Sequence, residues 1–121
     1  MIDHRIAAYQ ETAVSTQTRG RLVVLLYEGA IKFLKLAQRQ IDAGNLGAKG
    51  QYINKALAIL DELDASLNLD AGGEVAQNLR KLYHFMQRHL AQANIHSDPH
   101  RIQDVLDCLE DLAEGWRAVT R

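Results

Sequence analysis

One proline in 121 residues, Pro99 in "SDPH", leaves almost the whole chain free of the residue that most strongly ends regular structure. The glycines concentrate at positions 44, 47, 50, 72 and 73, so long stretches between them carry few interruptions. Such stretches suit helices. Thr18 can cap a first helix running to about Ala43, with Gly44 beyond its end, and Asn45 can cap a second that fades near Leu69 before "DAGG". A third helix is expected from about Glu74 to Ile95. Asp98 then offers a capping carboxylate with Pro99 at the first helical position, so a fourth should extend close to the C-terminus.

The apolar spacing supports this division. Ile102, Val105, Leu109, Leu112, Trp116 and Val119 step by three and four, as do Val75, Leu79, Leu82, Met86, Leu90 and Ala93. Neither sustained alternation nor Asn-Gly or Asp-Gly hairpin signals are present, so strands are not expected. The predicted fold is all-α, an antiparallel up-down-up-down four-helix bundle over residues 18–121, with helices roughly 35 Å long at ~1.5 Å per residue. Residues 1–17 stand apart: Ile2, Ile6 and Tyr9 form a short apolar stripe followed by the polar "TQT". That segment is expected to be flexible or a short helix that docks on the bundle. A chain of this length fits one domain and one core.

"LVVLLYEGAIKFL", residues 22–34, is too apolar for one helix to hide on a single face. At ~100° per residue it divides into two stripes. Leu22, Leu26, Gly29, Phe33 and Ala37 are expected to fill the core, and Val24, Tyr27, Ile31 and Leu34 to face outward and meet a partner. On that reading a charge at Ile31 should spare the fold and one at Phe33 should damage it. Gly29, costly inside a helix by ~1 kcal/mol against alanine, marks a close backbone approach. The second helix spreads its apolar residues from Leu57 to Ile59 over a broad arc whose edges can reach beyond the bundle. Helix-in-groove recognition is the mode implied, with an amphipathic partner segment laid between two helices.

Chemistry finds little support. No glutamate has a histidine three residues later, and His-Glu-x-x-His is absent, so the di-metal signatures of helical bundles are missing. His84 and His89 lie on different helical faces, and His96 and His100 flank the "SDP" turn; all are read as solvated. Cys108, at the edge of the fourth helix's apolar face, is read as an inert thiol. "AGGEVAQN" lacks the Lys-Ser/Thr end of a phosphate loop and reads as a turn. The formal charge of −1 and the 6% aromatic content give no stacking basic surface for nucleic acid. Residues 74–96 carry three basic and one acidic side chain, and 98–121 six acidic and three basic, an opposite balance that suits neighbouring helices. No signal peptide or run of ~20 apolar residues is present, so a cytoplasmic protein without membrane insertion, catalytic site, metal or cofactor is expected.

"LVVLLYEGAIKFL", "YINKALAIL" and "GGEVAQNLRKLY", with Tyr9-Gln10 near the start, occur in an order and spacing that resembles the FliS family of flagellin export chaperones over nearly the entire chain. The resemblance implies a small antiparallel bundle that binds the disordered C-terminal region of flagellin in the cytoplasm. It also implies that binding prevents early polymerisation and that the chaperone helps deliver its client to a component of the flagellar type III export gate. Matched motif positions combined with the outward stripe give Tyr9, Gln10, Val24, Tyr27, Ile31, Leu34, Ile53, Asn54, Leu57 and Tyr83 as the expected client-binding residues. Where the family often has Ser-Pro-Glu opening the first helix, this chain has Thr18-Arg19-Gly20. Two alternatives remain at this point, a homodimeric structural bundle and a histidine phosphotransfer-type bundle, although neither "YHFMQ" nor "RHLAQ" carries the Lys-Gly expected after a phosphoaccepting histidine. Without client, a monomer or weak homo-oligomer is expected.

Overall fold

The computed structural model describes the backbone of residues 4–120 and the side chains of residues 19–120. Four helices follow in order: α1 (His4–Asp42), α2 (Leu46–Ala65), α3 (Leu69–His96) and α4 (Pro99–Thr120). Each connection is two or three residues, too short for anything but antiparallel neighbours. α1 packs on α2 and α4, and α3 packs on the same two. Among the described residues, neither diagonal pair touches backbone to backbone. The all-α up-down-up-down bundle expected from the sequence is the fold of this chain.

Most of the punctuation acts as its chemistry dictates. Gly44 adopts a left-handed φ of 76°, and the following Asn45 N–H donates back to the Gln40 carbonyl at 2.8 Å, ending α1. The Asn45 Oδ1 then accepts from the Ala48 N–H at 3.3 Å and starts α2. At the other turn of this end, the Asp98 Oδ1 accepts from the His100 N–H at 2.9 Å, with Pro99 opening α4.

Two boundaries differ from expectation. α2 stops at Ala65, four residues before Leu69, because Asn68 caps a new turn by accepting from the Ala71 N–H at 3.0 Å. That turn is merged into α3 across a kink at Gly73, whose φ of 55° and ψ of −134° a side chain would strain. The regular part of α3 therefore begins at Glu74, as "DAGG" foretold. The second difference lies in α1, which runs unbroken through Thr18. Residues 4–18 contain neither glycine nor proline, so the backbone ladder continues where a cap was expected. The docking expected of residues 1–17, and the side chains of Tyr9 and Gln10, lie outside the described residues.

The main correction concerns which stripe of α1 forms the core. Tyr27 and Leu34 are fully buried, and Val24 and Ile31 retain only 9% exposure. Leu22 is instead 52% exposed, while Leu26 and Phe33 are half-buried at the edge of the core. Only Ala37 of the expected inward stripe is completely enclosed. Ala30 and Ala37 explain the rotation: both are fully buried, and their small side chains permit close packing between the two stripes of larger residues. Ile53, Ala56, Leu60 and Leu63 from α2, Tyr83, Met86 and Leu90 from α3, and Ile102, Val105, Leu106 and Leu109 from α4 complete the core.

Burial reverses the expected effect of a charge. Ile31→Asp should lower unfolding free energy by roughly 2–5 kcal/mol, because an aspartate there has no partner in an apolar interior. Leu25→Asp, at a position 56% exposed, should stay within about 0.5 kcal/mol of the parent. Urea unfolding of the two variants checks this order; equal losses would show that α1 is rotated differently.

Candidate functional site

With the core arc of α1 turned inward, the remaining apolar residues emerge outside. Leu22 and Leu25 are more than half exposed, and Gly29 and Leu36 follow them along the same side at helical spacing. Gly29 is where α2 comes close: a Cβ built there would stand 3.3 Å from the Ile59 Cδ1. The close backbone approach expected from the sequence is not found at Gly29, where the neighbour is the tip of a side chain of α2. One turn on, Phe33 stacks on Tyr52 with ring centres 6.3 Å apart. The Lys55 Nζ lies over both rings, 5.4 Å from the Phe33 centre and 5.8 Å from that of Tyr52. This covers the α1–α2 seam and makes it more closed than the opposite side of α1.

On that opposite side a groove runs between α1 and α4. Its larger part encloses about 630 Å³, with Ile31 and Leu36 as the apolar residues among a charged lining. A second part of about 330 Å³ is lined by Val24, Leu25 and Thr120 among others, and the two share Glu28 and Arg117. Arg117 Nε donates to Glu28 Oε1 at 3.3 Å, and the Lys35 Nζ stands 3.3 Å from Glu110 Oε1. Both bridges are about half exposed and therefore contribute only ~0–1 kcal/mol each. They span the groove without locking it. At the α1 C-terminal end, Gln38 Nε2 donates to the Pro99 carbonyl at 3.2 Å and to Gln103 Oε1 at 3.0 Å, tying the helices together more tightly.

A separate cavity of about 220 Å³ lies near the α2–α3 connection, where Leu63, Leu67, Val75 and Ala76 meet Val23, Tyr83 and Trp116. Above the core side of this cavity, the Tyr27 and Tyr83 hydroxyls hydrogen-bond to each other across the diagonal from α1 to α3. Burial pushes the Tyr27 hydroxyl up from its ordinary range, opposed in part by Tyr83 and Trp116. Burial likewise pushes Tyr83 up, reinforced by its bond to Tyr27 and by the negative charge of Asp64. Both phenols stay neutral and act as structural hydrogen-bonding groups.

The expected site residues therefore separate into four sets. Val24 and Ile31 border the groove, although as its nearly buried floor and not as an exposed stripe. Tyr27, Leu34, Ile53 and Tyr83 are core residues, with no more than 1% exposure. Asn54 is exposed on α2, and Leu57 is half-buried against the core. Tyr9 and Gln10 fall among the undescribed side chains. Leu22, Leu25 and Leu36 were missed as outward residues, as were the groove charges. The available signal was the cluster of Glu28, Lys32, Lys35 and Arg39, which marks the solvent side of α1 and places Ala30 and Ala37 opposite it.

The other reactive side chains have local structural partners. His84 Nε2 lies 3.3 Å from Asp64 Oδ2, and His89 Nε2 lies 2.9 Å from Asp104 Oδ2. Each imidazole is thus held by a carboxylate at Nε2. Burial pushes the Cys108 thiol up, and Asp111, Asp107 and Asp104 push it further, so a reactive thiolate is disfavoured. No described helix is long and apolar enough to cross a membrane.

The family model described as "Flagellar protein FliS" matches residues 2–121. A flagellar secretion chaperone FliS of Salmonella typhimurium is 37% identical over 111 residues, covering 91% of this chain and 82% of that protein. The Bacillus subtilis protein of the same description is 33% identical over 116 residues, with 96% and 86% covered. That of Vibrio cholerae is 32% identical over 115 residues, with 92% and 85% covered.

The phenol pair sets an alkaline limit on stability. Both folded-state values lie above the unfolded value near 10, so the pair has no titration cost below about pH 10 and loses stability as pH rises through the folded values. Tyr83→Phe leaves Tyr27 buried without its partner and should cost about 1–3 kcal/mol at neutral pH. Adding Tyr27→Phe should cost less than the sum of the two single changes, because the unpaired hydroxyl is removed as well. Urea unfolding at neutral and strongly alkaline pH checks both points, with the double variant losing less stability at high pH.

Proposed function

We propose that this chain, which belongs to the FliS family of flagellar proteins, binds the disordered C-terminal region of flagellin as a cytoplasmic export chaperone. Family membership supports a chaperone role. The observation on this molecule that supports a polypeptide client is the outward face of α1, where Leu22 and Leu25 stand more than half exposed beside an open groove. A four-helix core has already taken what it needs from Tyr27, Ala30, Leu34 and Ala37. The outward residues remain for another chain.

The client segment folds into helix as it lies against α1, burying its own apolar residues and withholding them from filament assembly. Coupled folding costs such a complex ~2–5 kcal/mol of its gross interaction energy, which leaves affinity tunable and release accessible. The shape of the surface fits this mode. Val24, Ile31 and Leu36 offer apolar contact within the groove, while half-exposed ion pairs along it can rearrange at little cost. No chemical step is required. Handing the bound client to a component of the flagellar export gate is the second part of the proposal.

Mixing the chain with an isolated flagellin C-terminal segment should give one saturable complex and a gain in helical circular dichroism beyond the sum of the parts. Leu22→Glu together with Leu25→Glu should weaken binding by at least about tenfold while leaving cooperative melting intact, as expected for exposed anchors that the fold does not use. Saturable binding without added helix would remove coupled folding from the mechanism. A failure of the parent chain to bind would overturn the client assignment, and a self-associated dimer lost on the same substitutions would give the face to a second copy instead.

A further inference from the structure

The groove between α1 and α4 has walls of opposite net charge. Lys32, Lys35 and Arg39 outnumber Glu28 on the α1 side, Glu110 and Glu114 outnumber Arg117 on the α4 side, and Glu28 and Arg117 pair with each other at 3.3 Å. Lys35 is used by Glu110 at 3.3 Å. Lys32, Arg39 and Glu114 have no ion-pair partner among the described residues, although all three are exposed and line the same open space. Arg39 also sits in the last turn of α1, where a cation is favoured by the helix dipole. That accounts for a basic residue there, but not for a second one, Lys32, two turns earlier on the same wall.

Lys32 and Arg39 are seven residues apart, which separates them by about 10.5 Å along α1 and returns them to nearly the same angular position. The half-buried Leu36 lies between them and lines the groove with them. A helix laid along this wall repeats with the same spacing, so carboxylates seven positions apart on its flank can meet both cations while an apolar residue between them meets Leu36. The opposite flank of that helix faces Glu114. A partner with an acidic flank toward α1 and a basic residue toward α4 complements both walls.

We propose that this groove selects helical client segments by charge, with Lys32 and Arg39 reading a pair of acidic residues two helical turns apart and Glu114 reading a basic residue on the other flank. The inference rests on the client-binding role above and adds the chemistry of the segment that the groove accepts. Exposed pairs of this kind contribute little individually and weaken with salt, but they fix the register of a bound helix and oppose partners of the wrong sign. Leu22 and Leu25 supply apolar attachment; the charged walls determine which segment attaches and in which orientation.

The test uses the full chain, the isolated flagellin C-terminal segment as probe, and binding titrations at low and high ionic strength. Lys32→Glu with Arg39→Glu should weaken binding roughly tenfold at low salt, with the difference shrinking at high salt. Lys81→Glu with Arg88→Glu, at exposed positions on α3, should leave affinity unchanged and controls for net charge. Changing the segment's paired acidic residues to lysine should restore binding to the Lys32→Glu/Arg39→Glu chain and weaken it to the parent. Helical circular dichroism and melting of every variant confirm that the bundle is intact.

If Leu22→Glu/Leu25→Glu abolishes binding but reversal of Lys32 and Arg39 changes nothing, charge selection is wrong and the apolar client surface stands. Loss of binding in the α3 control to the same extent would also overturn it, since overall charge would then be responsible. If the parent chain does not bind the segment at all, the client role fails first and this inference with it. A client-free dimer that dissociates on reversal of Lys32 and Arg39 would assign the groove to a second copy of the chain and overturn selection of a client.

Discussion

The hydrogen bond between the Tyr27 and Tyr83 hydroxyls is the constraint on which the arrangement of this bundle turns. α1 and α3 stand on a diagonal and do not touch through their backbones, so only long side chains can join them through the interior. Tyr27 and Tyr83 are fully enclosed, and a buried hydroxyl without a partner costs about 1–3 kcal/mol. Each phenol is the other's partner. Turning α1 enough to bring Leu22 or Phe33 into the centre would separate the pair and break this bond. Aliphatic residues alone would tolerate several rotations of a helix; the phenols tolerate far fewer.

Fixing that rotation decides what the outside of the molecule can do. Ala30 and Ala37 are held in the core, while Leu22, Leu25 and Leu36 are left on the exposed side or along the α4 groove. The two edges of α1 then differ. Toward α2, Ile59 reaches over Gly29, and Phe33, Tyr52 and Lys55 form a stacked cover. Toward α4, bridges between half-exposed charges span an open groove. Stacked packing on one edge and half-exposed ion pairs on the other leave the α4 edge the more open of the two.

Helix number, topology and most turns were legible because each rests on a local rule. Gly44, Asn45, the Asp98-Pro99 pair and the Gly73 break all act within a few residues of themselves. The end of α2 was less legible because Ser66 and Asn68 both have competing uses: the Ser66 hydroxyl donates to the Leu63 carbonyl at 2.8 Å, and Asn68 caps the next turn. Helix α1 passes Thr18 because a capping side chain starts a helix only if the preceding backbone is not already helical. The site was harder still. Two apolar stripes of α1 had similar hydrophobicity, and the choice between them depended on Tyr83, 56 residues away, and on alanines too small to weigh heavily in a count of large apolar groups. Thus the excess of apolar surface was readable, but its direction was inverted.

The two ends of the bundle extend this division between fixed and adaptable parts. At the end holding the α1–α2 and α3–α4 turns, the nearly buried Lys49 donates from Nζ to the Asn94 carbonyl at 2.8 Å. It satisfies a carbonyl in the last turn of α3, where a positive charge also meets the negative end of the helix dipole. Gln38 joins α1 to α4 at the same end. The opposite end has the Gly73 kink, the small cavity beside Trp116, and the exposed Val75 and Val119. There, α1 continues past Gly20, where a Cβ would stand only 2.7 Å from Thr120 Cγ2 at the end of α4. Polar side-chain bonds thus tie the helices together at the Gln38 end, while exposed apolar residues occur at both ends, Leu46 and Ile95 at this one and Val75 and Val119 at the other.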